Sequence, residues 1–137
     1  MRRVRALYPG VCRLTGRRFG ANPPIVQSRF GWAIDDAETG QILRAMAEAA
    51  GEFEYYGRVH HHAGQVIRHN GQAVAVTAVV LVPANEDLDE FDDRIVVFYR
   101  PATEAEAAEL EATEAERQAR AEAQQVVVEA ERRIHRD

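Results

Sequence analysis

Three consecutive histidines, His60-His61-His62, followed by His69, form the one grouping in this chain whose side chains suit metal chemistry. Neutral imidazole is the commonest protein ligand for zinc and related ions. The segment Glu52–His62 is aromatic and β-branched, so the run is expected on a strand. There His60 and His62 share one face and His61 takes the other. A His-x-His pair on a strand is a genuine ligand geometry and would make the chain a small metal-dependent enzyme, with a metal ion at His60 and His62. Pairing set by Asn70-Gly71, however, puts His60 opposite Leu81 and His62 opposite Val79, which supply no carboxylate. The same residues therefore also suit an edge or solvent-facing histidine run.

The N-terminal segment offers a different chemistry. Residues 1–34 hold seven arginines (Arg2, Arg3, Arg5, Arg13, Arg17, Arg18 and Arg29) and no acid, a charge of +7. The rest of the chain holds ten arginines and all 22 acids, a charge of −12. Segregation of this kind marks one end of the sequence as a surface for polyanions. Guanidinium forks match phosphate oxygens bidentately, and Arg2, Arg3 and Arg5 form a basic arm suited to salt-dependent binding of nucleic acid. A tight turn at Thr15-Gly16 would set Arg13 across from Arg18 and Cys12 across from Phe19. Two like charges opposed on a ladder repel unless an anion sits between them. The competing reading has these arginines paired with the chain's own acids or with those of a second copy.

Two further patterns are weaker. Cys12-Arg13-Leu14-Thr15-Gly16 has the outline of a zinc knuckle, but Thr15 stands where the second cysteine belongs and hydroxyl is a poor zinc ligand. Cys12 reads better as a small buried thiol. In the acidic stretch Asn85–Asp93, Asn85, Asp87 and Asp89 are spaced like the first ligands of a calcium loop. Glu90 then takes the place of the obligatory glycine and Val96 that of the bidentate glutamate. A solvated, self-repelling loop fits better, with a weak cation site or a contact for a basic partner as the alternative. No glycine-rich phosphate loop, G-x-S-x-G or His-Glu-x-x-His motif occurs.

Composition sets the frame in which these groups must sit. The chain has 137 residues, 46% hydrophobic and 28% charged, which is ordinary for a globular protein. All 17 basic residues are arginine and 23 residues are alanine, the signature of a GC-rich bacterial or phage genome. One cysteine excludes an internal disulfide framework and suits a reducing cytoplasm. No apolar run reaches the ~18 residues of a membrane span, and no long apolar stretch follows the basic N-terminus as in a secretory signal.

The elements that must position the candidate residues follow from periodicity. Val26, Ser28, Phe30, Trp32 and Ile34 alternate with smaller or more polar residues, which predicts one strand. Ile42, Leu43, Met46, Ala49 and Ala50 predict a helix over about 40–50, closed by Gly51 at its C-terminus. A returning strand at Gln41–Arg44, with Asp-Ala-Glu-Thr-Gly as hairpin turn, is the alternative. Gln65–Arg68 and Ala73–Val82 flank Asn70-Gly71, a strong type I′ hairpin signal. Ala73–Val82, apolar on both faces apart from Thr77, should be central and buried, and Arg94–Tyr99 is a further strand.

Past Pro101 the composition changes. Thr103-Glu104-Ala105-Glu106 fits a capping box, and no Gly or Pro follows to the end of the chain. A helix of about 30 residues is expected, with a break near Thr113 as the variant reading. Ala105, Ala108, Ala112, Ala115, Ala119, Ala123, Val126, Ala130 and Ile134 form a thin seam along it.

Together these readings give an α+β fold: an antiparallel sheet of about five strands, one short packed helix, and a long C-terminal helix. The chain divides into a globular part, 1–101, and the helical part, 102–137. The function expected is that of a small non-catalytic binding or regulatory protein. It contacts nucleic acid through the N-terminal arginines and forms a homo-oligomer through the C-terminal helix. The other classes are the His60/His62 metal enzyme and an adaptor or inhibitor whose acidic surface engages a basic protein.

Overall fold

The computed structural model describes residues 2–84 and 91–136, so the expected calcium-like loop falls largely outside the described residues. The fold class is α+β, as the sequence predicts, but the strands are more numerous and divided differently. Among the described residues nine strands form three antiparallel sheets in place of one sheet of five. β1 (Arg3–Arg5), β4 (Pro24–Ser28) and β5 (Gly31–Ile34) make a three-stranded sheet in the order β1-β4-β5. β2 (Gly10–Val11) and β3 (Arg18–Phe19) make a short ribbon. β6 (Gly51–Tyr56), β7 (Val66–His69), β8 (Gln72–Val82) and β9 (Arg94–Pro101) make a four-stranded sheet in the order β6-β9-β8-β7.

The segment 26–34 is a hairpin, not one strand. Arg29 and Phe30 form its turn, and Ser28 pairs with Gly31. The Ser28 hydroxyl donates to the Gly31 carbonyl (2.6 Å) and accepts from the Phe30 N–H (3.2 Å). Gly31 follows at φ +119°, a conformation side chains disfavour.

Helix α1 spans Ala37–Glu48, beginning three residues before the predicted start. Asp36 caps it by accepting the Thr39 N–H at 3.0 Å, so Asp36–Gly40 is the cap and first turn of the helix and not the hairpin turn of the alternative reading. The alternative of a strand at Gln41–Arg44 is excluded by the same geometry. Gly51 is no helix terminator; it opens β6 directly beneath the Tyr99 ring, whose Cζ would lie 2.6 Å from a Cβ there.

The Asn70-Gly71 turn is as expected, with φ +51° and +81° at the two residues. β8 lies between β9 and β7 and is largely buried, as its composition requires. One residue breaks its ladder with β9. Val76 pairs with Tyr99 but Ala78 with Phe98, leaving Thr77 as an extra residue. The Thr77 hydroxyl donates to the Phe98 carbonyl (3.2 Å). This bulge changes which parity of β8 faces which side. Ala78, Val80 and Val82 then join Val96 and Phe98 of β9, with Cys12, Leu14, Val26 and Ala33, in the main core, which α1 covers with Ile42, Leu43 and Met46. Val76, Ile95 and Val97 form a smaller cluster with Phe53, Tyr55 and Ile67.

Helix α2 (Glu104–Arg136) is one uninterrupted helix of 33 residues, about 50 Å long. The capping box is present: Glu106 N–H donates to Thr103 Oγ1 (3.2 Å) and Thr103 N–H to Glu106 Oε1 (2.9 Å). Thr113 does not break the helix, since its hydroxyl donates back to the Glu109 carbonyl (3.0 Å). Only the first part meets the sheet, through half-buried Glu106, Ala107, Leu110, Thr113 and Glu114. Arg68 of β7 holds Glu114 with two hydrogen bonds of 3.1 and 2.5 Å. At about 100° per residue, the alanine seam lies on the side of the helix opposite Leu110. From residue 115 to 134 every residue is exposed.

Candidate functional site: an arginine-rimmed aromatic groove

The N-terminal 34 residues build a surface that the arginine count alone does not show. β1 runs along β4, and the chain then leaves the sheet through Leu7-Tyr8-Pro9 before entering β2. Between this crossing and β5 lies an open groove of about 800 Å³. Its floor and walls are apolar and aromatic: Val4, Tyr8, Phe19, Ile25 and Trp32. Arg2, Arg5 and Arg13 line it as well, and among the described residues no carboxylate does.

The groove is built from groups that folding would ordinarily cover. Leu7 and Tyr8 are 81% and 78% exposed. Val4 and Val11 are also exposed, so four large apolar side chains lie open within eight residues of chain. An exposed patch of that kind is uncommon on a protein surface unless something binds it.

The seven arginines separate into distinct roles. Arg17 donates to Asp36 (2.8 Å) and lies 3.2 Å from Glu38, at the start of α1. Its hydrogen bond to Asp36 raises its pKa, and the Thr39 N–H, with help from Arg17, holds the Asp36 carboxyl below its usual range. Arg29 donates to both oxygens of Glu52 and lies over the Phe30 ring at 4.8 Å. Arg13 donates to the carbonyls of Pro83 (2.9 Å) and Phe30 (3.4 Å), fastening the hairpin turn to the end of β8. Arg3 lies 3.9 Å from Asp35.

Arg2 and Arg5 face no carboxylate among the described residues. Arg2 sits 6.0 Å from the Trp32 ring centre, and Arg5 donates to the Asn22 carbonyl (2.9 Å). Arg18 is exposed on β3, beside Phe19.

The expected opposition of Arg13 and Arg18 is absent. β2 and β3 pair Gly10 with Phe19 and Val11 with Arg18, and the Cys12 N–H donates to the Arg17 carbonyl. The loop is longer than the two-residue turn expected, because Gly16 N–H closes onto the Cys12 carbonyl at 2.8 Å and takes Arg13 out of the ladder. Cys12 is fully buried. Burial pushes its thiol up, but hydrogen bonds from the Thr15 hydroxyl and from the backbone at Leu14, Ile34 and Thr15 outweigh this and leave it below the ordinary value.

His60, His61 and His62 do not lie on a strand, whereas His69 ends β7. β6 ends at Tyr56, and residues 57–65 form a loop bracketed by Gly57 (φ +109°) and Gly64 (φ +91°). The turn at Gly57 takes the chain out of the ladder before the histidines and it rejoins β8 only after Gly64, so the pairing of His60 with Leu81 and of His62 with Val79 does not occur. The imidazoles pack with aromatic rings instead. His60 lies 4.3 Å from Tyr55, His61 lies 5.4 Å from Phe53, and His69 stacks on Phe53 at 4.6 Å. Nδ1 of His60 meets the Arg58 carbonyl, that of His61 the Tyr55 hydroxyl, and that of His62 the Ala63 carbonyl. Among the described residues no group of three His, Cys, Asp or Glu side chains comes together as a metal site. No helix among them is long and apolar enough to cross a membrane.

The sequence signals the arginines of the groove but not its aromatics, which come from separate segments at Tyr8, Phe19 and Trp32. Exposed Leu7-Tyr8 between two short strands is the only local hint. No family model matches the chain, and no curated protein or solved structure matches it either.

Proposed function

We propose that this is a small non-catalytic binding protein that contacts nucleic acid through its N-terminal region. The observation that carries the reading is the groove: Arg2 and Arg5, which face no carboxylate among the described residues, stand at its edge, and among those residues no acid lines it. Arg18 extends the positive surface along β3. Arg17 and Arg29 already serve Asp36 and Glu52, so the contact set is narrower than all seven arginines.

The test is binding of a labelled oligonucleotide across a salt series. Binding should be strongest at about 50 mM salt, the low end of the range where counterion release acts. The slope of log affinity against log salt should fall by about one for each of Arg2→Ala and Arg5→Ala, and Arg17→Ala should leave it unchanged. No binding at low salt would refute the proposal.

The same reading includes self-association through α2. Residues 115–134 are all exposed, Val126, Val127 and Ile134 by 65%, 56% and 74%. Helices in water are held chiefly by packing one face, and a second copy supplies that face symmetrically.

A further inference from the structure

Within that function, and resting on it, we propose that the groove seats unpaired bases, so that the protein prefers single-stranded nucleic acid over duplex. The argument is one of chemical complementarity. A duplex offers phosphates outside and base edges in its grooves, and reading those edges takes hydrogen-bonding side chains. The interior of this groove is instead Val4, Tyr8, Phe19, Ile25 and Trp32. Such a lining gives a duplex little beyond what the arginines already give it.

Single strands differ because their bases have free faces. Aromatic side chains stack on those faces without regard to sequence, while arginines follow the backbone. Tyr8 is placed for this: the residue is 78% exposed, and among the described residues its ring has no ring partner. Trp32 lies in the same groove with the Arg2 guanidinium 6.0 Å from its centre, so a cation and a π-face stand side by side. Phosphate would meet Arg2 and Arg5 at the edge while the base enters between Tyr8 and Trp32.

An acidic peptide with apolar side chains is the competing occupant, since it too combines anions with apolar groups. Stacking decides against it. Planar rings are recognised best by planar rings, and the groove holds exposed Tyr8 together with Trp32, the latter faced by Arg2, rather than a deep aliphatic pocket.

The test compares a labelled oligothymidine of about 12 nucleotides, inside the usual range for one such site, with a hairpin duplex of matched charge. The full chain is used at about 50 mM salt. The single strand should bind at least about tenfold tighter and should quench the fluorescence of Trp32, the chain's one tryptophan. Tyr8→Ala should weaken single-strand binding about tenfold with the salt slope and the thermal midpoint unchanged, and Tyr8→Phe should restore it. Equal binding of duplex, or no effect of Tyr8→Ala, overturns the preference while the proposed function stands. Loss of both probes removes both. Binding of a glutamate-tyrosine copolymer with no binding of oligothymidine identifies the occupant as acidic protein and also overturns the inference.

Discussion

Arg29 closes on Glu52 with both terminal guanidinium nitrogens, at 2.6 and 2.5 Å, across the join between the N-terminal hairpin and the four-stranded sheet. The pair places the guanidinium 4.8 Å from the Phe30 ring and 5.8 Å from that of Phe98. It explains why one of the seven segregated arginines belongs to the fold rather than to a ligand. Arg29→Ala should lower unfolding stability at neutral pH by about 1 kcal/mol, the upper part of the range for an exposed pair. Oligonucleotide affinity should stay unchanged. Chemical denaturation and the salt series measure the two effects separately.

Two glycines should respond to alanine for different reasons. Gly71 has φ +81° with open space where a Cβ would go, so Gly71→Ala should cost about 1 kcal/mol from backbone conformation alone. Gly51 has ordinary backbone, but a Cβ there would enter the Tyr99 ring, with Cζ at 2.6 Å. Its alanine variant should be the more destabilised of the two. Tyr99→Phe, which removes the nearest atom, should recover part of the loss. Denaturant midpoints of the singles and the double variant check this.

The His61 imidazole is held below the ordinary histidine value, first by burial and then by the positive charge of His60 and His62. A base whose folded pKa is depressed binds fewer protons folded than unfolded. Its contribution to stability is therefore full above about 6.5 and is lost as pH falls through the folded value. The loop 57–65 should open on acidification before the main core does. Proton NMR of the imidazole resonances should show His61 titrating below the free-histidine value, and replacing His60 and His62 by Gln should move it part of the way back. A His61 midpoint at the free-histidine value would contradict this account.

Self-association should depend on the far half of α2. The full chain should be dimeric by light scattering, and a chain ending at Gln118 should be a folded monomer that keeps the Arg68–Glu114 contact. Val126→Glu, on the seam side, should have the same effect as the truncation. A monomeric full chain would count against the seam as an interface.

What the sequence made legible is what depends on residues close together in the chain. Asn70-Gly71 and Thr103-x-x-Glu106 carry their own geometry, and both are as expected. The hairpin at 24–34 escaped for an identifiable reason. Its Arg29-Phe30 turn lacks an Asn-Gly signal, and the apparent alternation from Val26 to Ile34 runs straight across it. In the structure Val26 pairs with Ala33, so residues of opposite parity share a face. The histidine loop was hidden by two glycines whose positive φ values no periodicity reveals. Composition marks Arg13 as an anion ligand but cannot show that it also donates to the carbonyls of Phe30 and Pro83, 17 and 70 residues away.

The anchoring of α2 at one end has a mechanical consequence. Its first turns are fastened by the Thr103–Glu106 box, by Arg100 on Glu106 and by Arg68 on Glu114. Beyond Glu114, the last clamp, about 33 Å of helix extends. Such an arm is a lever with its fulcrum on β7 and β8. A tilt of about 10° at the fulcrum carries the tip through about 6 Å on this geometry, so a small adjustment of the sheet is magnified at the helix's far end, where a spin label or fluorophore would register it.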